Sequence, residues 1–155
     1  MKFSTREDIN APVEQVFEML ADFRGYERGA RQRGAQVQRV DGLTEPDVGM
    51  RWTAKFVMRG KPRKLDIVLA EFDRPDTMIF STASKGLSGQ LTIDLMAMSR
   101  TRTRVSVALE LKPKNLSARL MIQSLRLGKA KLNKRFKQRV AELSRDAEKR
   151  LGSMA

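Results

Sequence analysis

NLSARLMIQSLRLGKAKLNKRFKQRVAELSRDAEKR, residues 115–150, decides the fold. Ala118, Met121, Leu125, Leu132, Phe136, Val140, Leu143 and Ala147 recur at three- and four-residue steps. They therefore share one face of a 3.6-residue helix. No proline interrupts the run, so one helix is predicted over 115–150, spanning roughly 50 Å at 1.5 Å per residue. It comes last, after a middle section that reads almost entirely as β-strand. A sheet closed over by one terminal helix points to a cupped domain that holds a ligand.

Working back from that helix, Val105, Val107, Leu109 and Leu111 alternate with Ser106, Ala108, Glu110 and Lys112, and Pro113 stops the strand. Residues 88–98, 77–84 and 63–72 read as further strands. They are joined at 99–103, at Lys85-Gly86 and at Asp73-Arg74-Pro75-Asp76. Residues 51–59 place Trp52, Ala54, Phe56 and Met58 on one face, and Gly60-Lys61-Pro62 reads as the turn that follows. Short turns between consecutive strands imply an antiparallel meander. Residues 2–9 and 35–40 supply two more strands. Between them, Asn10 is positioned to cap a helix starting at Pro12. A second short helical piece covers 22–32, weakened by Gly25 and Gly29. The expectation is one α+β domain over 1–155.

Composition narrows the chemistry. Cysteine and histidine are both absent. That removes disulfides, thiolate or imidazole metal sites, cysteine nucleophiles and Ser-His-Asp catalysis. No close cluster of Asp and Glu suggests a hard cation, so neither a metal nor another cofactor is expected. No apolar run approaches a membrane span. Residues 1–8 lack a signal-peptide core, which leads to an expectation of the cytoplasm.

Four stretches together resemble the START-like (SRPBCC) superfamily, which includes the polyketide cyclase/dehydrase family. Ile9-Asn10-Ala11-Pro12-Val13-Glu14-Gln15-Val16-Phe17 resembles that family's opening. Ala21-Asp22-Phe23 with Tyr26 follows at the family's spacing. Gly49-Met50-Arg51-Trp52 opens a strand in family style, and Glu71-Phe72-Asp73-Arg74-Pro75 resembles its E-F-D-P-P turn. The resemblance implies a helix-grip fold: a seven-stranded antiparallel sheet wrapped round a long C-terminal helix, with two short helices after the first strand and a cavity between. It implies binding of an apolar or amphipathic small molecule such as a lipid, isoprenoid or polyketide. The alternative within the family is a cyclase or dehydratase enzyme. The arginine-rich segment after Asp22 lacks the tryptophan and proline common there in relatives.

The candidate ligand-binding residues are Tyr26, Trp52, Phe56, Phe80, Met121, Leu125 and Gly128. Trp52 and Phe56 share a strand face, so they read either as core or as a wall that stacks on a flat ligand. Tyr26, the sole tyrosine, reads as a cavity-mouth hydrogen-bond donor or as a packing residue. Gly128 falls on the helix's apolar face at a cost of about 1 kcal/mol relative to alanine, which suggests that packing or ligand volume needs the missing Cβ. Asp66 and Asp94 are expected to face solvent. No carboxylate pair argues for acid–base catalysis, and no catalytic residue is named.

The net charge of +13 is unevenly spread. Residues 112–150 hold 13 Lys/Arg and three acids, a net of +10. Lys129, Lys131, Lys134, Arg135 and Lys137 form its centre. They read as a solvated face or as a footprint for an anionic membrane. Only Phe136 interleaves among them, which argues against nucleic acid. Leu116, Leu120 and Leu127 lie on the side of the helix away from Met121 and Leu125, as a rim covered by loops, a homodimer patch or a membrane contact.

Overall fold

The computed structural model describes residues 1–154. The strands are β1 (Lys2–Ile9), β2 (Gln36–Arg39), β3 (Arg51–Met58), β4 (Lys61–Asp73), β5 (Thr77–Ser84), β6 (Leu87–Ser99) and β7 (Arg102–Pro113). The helices are α1 (Val13–Leu20), α2 (Phe23–Gln32), α3 (Leu116–Arg126) and α4 (Lys129–Met154). The strands form one antiparallel sheet in the order β1-β7-β6-β5-β4-β3-β2. This is the expected meander, with β1 returning to pair with β7. No helix is long and apolar enough to cross a membrane.

Strand alternation sorts the sheet into two faces. The register aligns Phe3 with Leu109, Leu91 with Leu109, Phe80 with Leu91, Leu69 with Phe80, and Trp52 with Ile67. These apolar residues make the inner face, which the helices approach. Asp66 and Asp94 point outward as expected. Each accepts a hydrogen bond from a neighbouring threonine hydroxyl, Thr53 (3.2 Å) and Thr77 (3.0 Å) respectively.

The C-terminal helix departs from the expected single rod. The α-ladder is interrupted at Leu127 and Gly128, whose N–H groups donate one residue short, to Ser124 O and Leu125 O. Regular bonding resumes from Leu132 N to Gly128 O. Leu127 is 92% exposed, so no packing holds this turn in register, and glycine adds its own helix penalty. A Cβ at Gly128 would meet only Leu125 O, at 3.9 Å. Close packing therefore does not account for the glycine, which marks the junction of α3 and α4.

Two further boundaries differ. Asn10 does not cap α1, whose N-cap is Pro12; its backbone N–H and side-chain Nδ2 donate instead to the Glu148 carboxylate of α4. The β3–β4 turn is Arg59-Gly60, and Pro62 lies within β4 opposite Val57. Pairing of β4 with β5 begins only at Asp66. Near Pro62, β4 therefore has a single neighbour, the setting in which a strand tolerates proline.

Candidate functional site

Phe23 organises the inner face at one end of the sheet. Asp22 caps α2 by accepting from Gly25 N at 3.1 Å, which drives the next side chain, Phe23, into the core. Its ring lies 5.6 Å from Trp52, 5.9 Å from Phe72, 5.8 Å from Phe80 and 6.4 Å from Tyr26. Trp52 and Phe80 are 6.3 Å apart. These centroid separations and tilted planes suit aromatic pairs. Ile9, Val16, Phe17, Met50, Leu69, Met78, Leu95 and Val105 complete the buried cluster. This is the closed end of the sheet.

Trp52 carries an anomaly. It is buried, yet its indole Nε1 has no hydrogen-bond partner. An unsatisfied buried donor costs about 1–3 kcal/mol, and such groups are few in native folds.

Tyr26 is placed differently from a free donor at a cavity mouth. Its hydroxyl donates to Leu20 O at 2.7 Å. The residue as a whole is 45% exposed, but partial desolvation where it meets Phe23 and Leu20, with a smaller contribution from the Asp22 charge, pushes its pKa up to about 12. A phenol so engaged is a poor proton donor to a ligand.

At the other end, the inner face changes character. Ile67 and Phe80 border the closed-end cluster, and from them outward Leu65, Thr82, Leu91, Leu109 and Leu111 face inward; all seven are only half-buried. The helix positions explain this. The closest helix–strand approaches set α4 on β1, α3 on β7 and α2 on β2, while α1 covers β6 and β7 near the closed end. Phe136 pins α4 to β1 against Phe3, with ring centroids 5.9 Å apart. Ala147 of α4 belongs to the buried cluster with Trp52, Leu69 and Met78, so α4 grips the inner face at the closed end, while the half-buried apolar strip over β4, β5 and β6 forms a trough. Gly89 helps to shape its floor: an added Cβ would lie 2.5 Å from Thr82 Oγ1 and 3.3 Å from Leu111 Cδ2.

The seven candidate residues thus fall into two groups. Tyr26, Trp52 and Phe80 join one aromatic cluster through Phe23. Phe56 on β3 and Met121 and Leu125 on α3 are half-buried at the open end, and Gly128 is exposed. Ile122, one residue from Met121, is the better buried on α3. Three grooves of about 470, 510 and 490 Å³ lie elsewhere, centred on β2–β3, on the outer face at Ser81 and Gln90, and beside Arg6 and Lys137. None of the three is lined by Trp52, Phe56, Phe80, Met121 or Leu125.

Sequence reasoning missed Glu7. Its register opposite the buried Val105 puts it on the inner face, and it is the only carboxylate at an inward strand position among the described residues. The period-2 pattern of Phe3, Thr5, Glu7 and Ile9 carried that signal. A lone carboxylate does not form an acid–base pair. Among the described residues no group of three metal-ligating side chains comes together.

Solved structures share this architecture at low sequence identity. A Thermus thermophilus protein matches with a TM-score of 0.65 at 16% identity, over 100% of this chain and 99% of its own. The Zhui aromatase/cyclase from Streptomyces matches with a TM-score of 0.67 at 13% identity, over 97% and 95%. Norcoclaurine synthase from Thalictrum flavum, in complex with dopamine and hydroxybenzaldehyde, matches with a TM-score of 0.67 at 11% identity, over 99% and 87%. No curated protein sequence matches. A sheet of this order, gripped by a long C-terminal helix, accords with the family model that matches residues 1–148, and the chain belongs to the polyketide cyclase / dehydrase and lipid transport family.

Proposed function

We propose that this chain binds or carries an apolar or amphipathic small molecule in the trough over β4, β5 and β6. The observation that supports this most is the row of half-buried apolar residues on the inner face of the central strands, Leu65, Ile67, Phe80, Leu91, Leu109 and Leu111. Exposed apolar surface of this kind is stabilised by an apolar occupant. The unpartnered Trp52 Nε1 favours a ligand with a carbonyl or hydroxyl oxygen able to accept its proton. Phe56, Met121 and Leu125 would contact the part of the ligand nearest the opening. The match to a family described as cyclases, dehydrases and lipid transport proteins fits either carriage or catalysis. Tyr26 bonded to Leu20, and Glu7 without a paired acid or base, favour carriage. The basic run of α4 at Lys129, Lys131, Lys134, Arg135 and Lys137 supports loading and unloading at an anionic membrane.

Native mass spectrometry of freshly purified protein tests this. A one-to-one adduct of an apolar metabolite is expected. A bare mass, together with unchanged Trp52 emission across a panel of fatty acids, isoprenoids and polyketide analogues, would contradict it.

A further inference from the structure

We infer that the β3–β4 hairpin, together with the exposed face of α3, is the surface that docks on an anionic phospholipid bilayer. The inference rests on the membrane-contact part of the function proposed above and adds a second, projecting surface to the basic run of α4. Residues 51–64 contain six bases, Arg51, Lys55, Arg59, Lys61, Arg63 and Lys64, and no acid. Among the described residues none of the six takes part in a salt bridge. At the tip, Val57 is 74% exposed and Met58 52%. Apolar side chains at a tip that carries Arg59, Lys61, Arg63 and Lys64 match the two layers of a bilayer surface, phosphates outside and acyl chains beneath.

Topology puts α3 on the same side. Lys114 N donates to Gly86 O at 2.7 Å, which ties the start of α3 to the β5–β6 turn. Pairing of Asp66 with Ala83 places the β3–β4 tip at that same end of the sheet. Five residues of β4 extend beyond this pairing, roughly 16 Å at strand rise, so the hairpin projects. On α3, Leu116 and Leu120 are exposed beside Lys114 and Arg119, and Leu127 is exposed at its end. Hairpin and α3 stand at the open end of the trough, where a ligand would pass to or from a membrane.

The turn itself holds a cation outward. Arg59 has φ 53° and Gly60 φ 74°, the pair of left-handed residues that a two-residue hairpin turn requires. Asparagine is the usual first residue there, and arginine is strained. A strained residue at a projecting tip is the kind of position that function retains. Aliphatic rather than aromatic exposed residues favour lipid over single-stranded nucleic acid, which stacks on rings.

Sedimentation with phosphatidylserine-containing and pure phosphatidylcholine vesicles, at low and high salt, tests the inference on the full chain. Binding to anionic vesicles at low salt is expected, weakened about tenfold or more by Lys61→Glu with Lys64→Glu, since each such cation contributes appreciably at an acidic surface. Val57→Asp with Met58→Asp should weaken it similarly, and Met96→Asp, on an exposed residue of β6, should not. Circular dichroism and solution quenching of Trp52 by an apolar ligand should be unchanged in the hairpin variants, which separates docking from ligand binding. Wild-type binding by both hairpin variants would overturn the inference. If Lys134→Glu with Lys137→Glu abolished binding in that case, only the role of α4 would stand. Equal binding to neutral vesicles, hairpin-dependent binding of an RNA oligomer in place of vesicles, or a dimer that buries Leu116 and Leu120 would overturn it too.

Discussion

The two ends of the sheet differ in almost every physical respect. At the closed end, residues 40–50 hold three acids and no base, whereas residues 51–64, leading to the open end, hold six bases and no acid. Ion pairs gather at the closed end. Asp8 binds Arg102 (2.6 Å) and Arg104 (3.0 Å), Glu18 binds Arg74 (2.6 Å), and Asp41 binds Arg39 (2.8 Å). Asp22 lies 3.9 Å from Arg150. The open end has Lys112 with Glu110 at 3.6 Å. Five rings meet Phe23 or its neighbours at the closed end, while the inner residues of the open end stay half-exposed. Stability therefore concentrates where α1, α2 and the end of α4 meet the sheet, which leaves the opposite end free to present apolar surface and charge.

Truncation should separate the ends most sharply. Phe23→Ala should cost about 3–5 kcal/mol in urea unfolding. Met121→Ala should cost less than about 1.5 kcal/mol, because less of its surface leaves water on folding. Comparable losses at the two positions would erase the distinction.

Next in size is the indole proton. Trp52→Phe should weaken an oxygen-bearing apolar ligand by about 1–1.5 kcal/mol and leave a pure hydrocarbon of the same length unaffected, as read by calorimetry. Equal weakening of both ligands would mean that Trp52 serves only as a wall. A smaller effect belongs to the hairpin tip. Arg59→Asn should raise stability by about 0.5–1 kcal/mol by relieving the left-handed backbone. A loss there would show that the arginine makes a compensating contact.

The smallest effects concern pH, and they belong to the closed end. Hydrogen bonds from Arg39 and from the Arg51 and Leu43 amides hold Asp41 far below the ordinary carboxylate value of 3.8; those from Arg104 and Arg102 lower Asp8. Their contribution is present above pH 3.8 and is lost as pH falls below it. Tyr26 moves the other way, from 10.0 to about 12. The fold favours its neutral form, so that contribution is whole below pH 10 and is lost between 10 and 12. Thermal melts across pH should show both limbs, with Asp41→Asn flattening the acid one and Tyr26→Phe the alkaline one.

Much of this was legible in the residues. Strand alternation fixed the meander and the outward aspartates, because a period of two admits no slip without turning every side chain over. The long apolar period marked α3 and α4 but not their junction. Periodicity continues across a two-residue interruption, and only the exposure of Leu127 beside Gly128 reveals it. Trp52 and Phe80 were recognisable as inner-face aromatics. Phe23, which joins them, was hidden in a segment whose glycines and arginines masked the helix. The grip of the C-terminal helix on the sheet was legible through the family resemblance, but contacts that anchor it, such as Phe3 with Phe136, were not, because no local pattern encodes them.

The central question is whether the trough takes an apolar molecule. Titrating the protein with a fluorescent fatty acid while following Trp52 emission measures this directly, in the wild type and in Thr82→Phe, which places a ring over Gly89 in the trough floor. Saturable one-to-one quenching in the wild type is predicted, about tenfold weaker in Thr82→Phe with the melting temperature retained. No saturable quenching, or equal binding by both proteins, would contradict it.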